Sequence, residues 1–96
     1  MSNRDFIERL LDLQRKYAGK GLVNFVERIF TFDYRYDDDR KEAVDMEFKF
    51  ITAMRDDIFD LIRIVKEDTI EHSALVEMKA LFDERIITII RDFNIR

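Results

Sequence analysis

The stretch "KEDTIEHS", Lys66–Ser73, is the one on which the fold turns. Before it, Val44, Phe48, Ile51, Ile58, Ile62 and Val65 recur at helical spacing, interrupted at Arg55, and predict a long helix over about 40–66. After it, Leu75, Met78, Phe82, Ile86, Ile89 and Phe93 predict a second long helix, starting near Thr69 or Ser73. At about 100° per residue, one uninterrupted helix would point these two stripes to nearly opposite sides. A break inside Lys66–Ser73 removes the conflict, because the second helix can then turn its stripe toward the first. Asp68 and Glu71, three residues apart, are the expected capping box at that restart.

Working outward, "IFTFDYRYDDDR", Ile29–Arg40, carries aromatics at Phe30, Phe32, Tyr34 and Tyr36. Alternation of this kind suits a strand, but no second segment alternates to pair with it. Leu22, Phe25, Ile29, Phe32 and Tyr36 fit a helix equally well, so the expected element is a helix over about 22–36. Asp39 and Glu42 would cap the following helix, with Asp37 and Asp38 near the positive end of its dipole. Phe6, Leu10, Leu13 and Tyr17 predict a helix over about 5–18, closed by the glycines of "AGKG". The fold class is therefore all-α: a single domain over 1–96, a small antiparallel bundle of about four helices, the last two long.

The composition agrees. Of 96 residues, 47% are hydrophobic and 40% charged, with no proline and two glycines, the bias of long helices rather than of disorder. The net charge is −4 and no Lys/Arg cluster exists, so direct nucleic-acid binding is not expected. No cysteine is present, which removes disulfides and thiolate chemistry. No apolar run approaches a membrane span and no secretory leader is evident, so the expected location is the cytoplasm.

Catalytic chemistry finds little footing. His72 is the single histidine, and Asp68 four residues earlier gives it too few companions for a metal. There is no Glu-x-x-His pair and no phosphate-binding or nucleophile-elbow motif. Neither an enzyme nor a cofactor or metal site is expected.

Two features remain. Arg55 and Arg85 fall on apolar helix faces, where a charge must be paired or left open to a partner; Glu47, Glu71 and Asp92 are the candidate acids. The second is surplus apolar surface. Val23, Phe30 and Tyr34 form an extra stripe on the 22–36 segment; Met46, Phe50, Ala53 and Ile64 on the next helix; Val76, Ala80, Ile87 and Ile90 on the last. Either the 40–66 helix is central and all of this is internal, or part of it meets a second chain. On the second reading the interface residues are Val23, Phe30, Tyr34, Tyr36, Asp37, Asp38, Arg55 and Arg85, with aromatics at the centre and aspartates at the rim. The function expected is a non-catalytic regulator that binds protein, as a homodimer, with a foreign partner, or both. The alternative is a nucleic-acid-linked role, as a dimeric co-regulator or as a mimic of phosphate charge: Asp33–Asp60 holds ten acidic and five basic residues.

Overall fold

The computed structural model describes residues 3–17 and 41–93. Those residues are all-helical: 91% lie in three helices and none in a strand. The helices are α1 (Asn3–Lys16), α2 (Lys41–Ile64) and α3 (Ile70–Phe93). The helix expected over 22–36, and with it Val23, Phe30, Tyr34, Tyr36, Asp37, Asp38 and the Asp39 cap, lies outside the described residues.

The break falls within Lys66–Ser73, but its chemistry differs from the expected capping box. Thr69, not Asp68, is the cap: its Oγ1 accepts the His72 N–H at 3.1 Å. The same hydroxyl donates to the Lys66 carbonyl at 2.7 Å. One side chain thus satisfies an amide at the start of α3 and a carbonyl just past the end of α2, groups no helix can satisfy internally. Asp68 serves the turn instead. Its φ of 65° is left-handed, a conformation Asp tolerates better than most non-glycine residues and one that a capping residue does not adopt.

Of the described helices, α3 packs against both others. The reading that kept every stripe internal had placed the 40–66 helix at the centre. From α1, Phe6, Ile7 and Leu10 are buried, and the Phe6 ring meets Phe82 edge-on with centroids 5.0 Å apart. From α2 come Val44, Ile51, Met54 and Ile58; from α3, Leu75, Met78, Phe82, Ile86 and Ile89. These belong to the stripes read from the sequence, joined in the core by Met54, Ala74 and Leu81, while Phe48, Ile62, Val65 and Phe93 of those stripes are partly buried against it. The interhelical ion pairs run in reversed order: Glu47 with Arg85 and Arg55 with Asp83 on one side, Arg9 with Glu84 and Lys16 with Glu77 on the other. As numbers rise on α1 or α2, they fall on α3.

Candidate functional site

Arg85 and Arg55 occupy different settings. Arg85 is inside the core, 4% exposed, and grips Glu47 as a fork: Nε to Oε2 at 2.6 Å and Nη2 to Oε1 at 2.8 Å. Two parallel charge-assisted bonds suit the planar guanidinium and set the register of α3 against α2. Among the described residues, no buried side-chain nitrogen or oxygen lacks a partner. Thr88, also buried on α3, donates its hydroxyl to the Glu84 carbonyl at 2.9 Å.

Arg55 lies at the edge of the α2–α3 seam, about one-third exposed, 3.5 Å from Asp83. Lys79 reaches the same carboxylate at 2.7 Å and lies 5.7 Å over the Phe59 ring. Asp83 is therefore held by two cations. The opposite seam, between α1 and α3, has its own line of charges: Arg9 to Glu84 at 3.0 Å and Lys16 to Glu77 at 3.0 Å. Hydrogen bonds from the Tyr17 hydroxyl and the Lys16 ammonium hold the Glu77 carboxyl below its ordinary range. The same contacts raise Lys16 and Tyr17.

Between these two seams runs the outer face of α3. Val76 is 44% exposed, Ile87 60% and Ile90 39%, and Ala80 is exposed beside them. They lie within about 80° of one another around the axis, and about 21 Å separates the first from the last. Apolar residues therefore lie on both the inner and the outer side of α3, whereas α1 keeps its buried ones to one face. Ala80 also lines an open groove of about 370 Å³ between α1 and α3, together with Leu13, Leu81, Arg9, Glu77 and Glu84. An apolar strip with charged pairs beside it, and one neutralised acid, Asp83, at its middle, has the layout of a protein-binding surface: water-excluding patches within a polar rim.

On α2 the surplus residues also point outward, Met46 at 58% and Ile64 at 78% exposure, but Asp57 and Asp60, both exposed, fall between them. The α3 strip is also crossed by an acid, Asp83 between Ala80 and Ile87, but Lys79 and Arg55 hold that carboxylate. The strip's residues stand out in the sequence as a second stripe, whereas Arg85, expected at the interface, faces the other way and is buried. The separating signal was present: Arg85 is three residues from Phe82 and four from Ile89, both core residues, whereas Val76, Ala80 and Ile87 share the opposite side of the helical wheel.

Among the described residues no group of three or more His, Cys, Asp or Glu side chains is placed to hold a metal ion. No described helix is long and apolar enough to cross a membrane. Compared with models of known protein families, with curated proteins and with solved structures, the chain matches none of them.

Proposed function

We propose that this chain is a non-catalytic regulator, of the inhibitor, immunity, antitoxin or adaptor kind, that works by docking a protein on the outer face of α3. The observation that carries this is the strip Val76–Ala80–Ile87–Ile90, exposed, with Asp83 at its middle held by Lys79 and Arg55 and the Arg9–Glu84 pair beside it. A helix buried on two sides usually spends its third side on polar residues; an apolar third side raises the free energy of the lone chain unless something covers it. The same reading completes the domain as an antiparallel four-helix bundle, with 22–36 as the remaining helix. A cytoplasmic location rests on composition alone. The nucleic-acid-mimic alternative draws no support from α3, where Glu77, Asp83 and Glu84 each have a basic partner.

The test uses the intact chain as bait in an extract of its source cells, alongside Ile87→Glu and, on the exposed side of α2, Lys49→Glu. A specific partner retained by the wild type and by Lys49→Glu, but lost by Ile87→Glu, is the expected result. Fully burying an isoleucine is worth roughly 1.5–3 kcal/mol, and putting a carboxylate in its place adds a desolvation cost, so affinity should fall at least 10-fold. An unchanged set of retained proteins would overturn the reading.

A further inference from the structure

We propose that the first occupant of the α3 strip is a second copy of this chain, laid antiparallel across it with a two-fold axis between Asp83 and Glu84. This inference rests on the docking role proposed for that surface and adds who docks. It is carried by the spacing of the strip about its own centre.

An axis through the midpoint of Asp83 and Glu84 places Ala80 of one copy opposite Ile87 of the other, each three and a half residues from the axis. Val76 then falls beside Ile90 of the second copy, mismatched by one residue, an axial offset of about 1.5 Å. A small residue thus faces a large one at both central positions, the condition under which two helix surfaces interdigitate. Ala80 also lines the groove between α1 and α3, beside the position the second copy's Ile87 takes. A two-fold interface must be self-complementary, and this strip is.

The charges agree with the same register. Glu77 and Arg91 lie on either side of the axis at nearly equal distances, so Arg91 of each copy approaches Glu77 of the other. Both are accessible, Arg91 67% and Glu77 41% exposed in their side chains. At the axis itself two acidic residues from each copy come together, an arrangement that would repel if they were bare. They are not bare: Lys79 and Arg55 hold Asp83, and Arg9 holds Glu84.

The size of the strip sets the strength. About 21 Å by one helix width is a footprint near 200 Å² on each copy, well under the roughly 800 Å² per partner of a stable complex. The pairing is therefore a weak, concentration-dependent one, dissociating somewhere between about 10 µM and about 1 mM. Such a dimer covers the strip when the protein is abundant and yields it to a tighter partner.

Because the chain has no cysteine, engineered thiols report the register directly. Chains carrying Ala80→Cys and Ile87→Cys are oxidised mildly at several hundred micromolar, separately and mixed, and the wild type is sedimented from about 5 µM to about 1 mM. Mixing should give about five-fold or more linked dimer than either variant alone, since only the 80–87 pairing brings two thiols within bonding reach. The wild type should show a rising dimer fraction, and Ile87→Glu should not. Either variant linking to itself as readily as to the other would overturn the antiparallel register. A wild type that stays monomeric throughout would overturn self-pairing. In that case, Ile87-dependent retention of a foreign protein would leave the docking surface standing, whereas its absence would remove both.

Discussion

Replacing Glu47 by Ala strikes the most consequential polar contact in the described structure. The carboxylate and the Arg85 guanidinium are each 5% exposed in their side chains and joined by bonds of 2.6 and 2.8 Å. Removing the acid takes from a permanently charged group in the core the carboxylate that grips it as a fork. Breaking a buried pair by removing one partner costs about 3–5 kcal/mol. A domain of this length has a total stability on the order of 5–14 kcal/mol, so the loss is a large share of the whole. With a urea slope near 1.3 kcal/mol/M, the unfolding midpoint should drop by about 2–4 M, read by far-ultraviolet circular dichroism. Two companions separate charge from volume. Glu47→Gln keeps the shape but turns a donor toward a donor, and should lose nearly as much. The double variant Glu47→Leu with Arg85→Met removes both charges, and should recover most of the stability or exceed the wild type, since a buried pair seldom outperforms well-packed apolar groups. If Glu47→Ala shifts the midpoint no more than the exposed change Lys49→Ala, the pair is not buried as described. If the double variant is as unstable as the single one, the loss comes from packing and not from breaking the ion pair.

Other outcomes follow from the same contacts. Thr69→Ala removes the α3 cap together with a bond to the Lys66 carbonyl and should cost about 1–2 kcal/mol by urea unfolding, whereas Asp68→Gly at the left-handed position should change stability by less than about 1 kcal/mol. Phe82→Ala empties the edge-on contact with Phe6 at the α1–α3 seam and should cost about 3–5 kcal/mol. The Lys16–Tyr17–Glu77 cluster should carry a small pH signature. Glu77 is depressed from 4.5, so its contribution is present above that pH and lost as pH falls through the folded-state value. Lys16 and Tyr17 are raised from 10.5 and 10.0, so theirs is present below those values and lost as pH climbs past the folded ones. Midpoints of wild type and Glu77→Gln should therefore differ near neutrality and converge in acid, with the difference shrinking in high salt.

Much of the helical architecture was legible because it is local. Repeats such as Phe6, Leu10 and Leu75, Met78, Phe82 recur with the helix period whatever surrounds them, and the stripes they form are the buried ones. The restart between α2 and α3 could be placed because two stripes out of phase cannot share one helix. The capping residue at that restart was harder. Asp68 and Thr69 are both competent caps by residue type, and backbone conformation decides between them: Asp68 takes the left-handed turn and leaves Thr69 at the cap.

Amino-acid order alone determined that this chain is helical, where its long helices break, and that it carries more apolar surface than one stripe per helix requires. Each of these depends on spacing along the chain. Which of three acids would meet Arg85, which described helix would have neighbours on two sides, and which surplus stripe would face outward were decided only in the tertiary structure. Glu47, Glu71 and Asp92 are alike as charges; only the register of α2 against α3 brings Glu47 to the guanidinium. Val76 and Ile87 read as apolar as Leu75 and Ile86. They are exposed because α1 and α2 both pack on the other side of α3, an arrangement set by contacts between segments far apart in the chain.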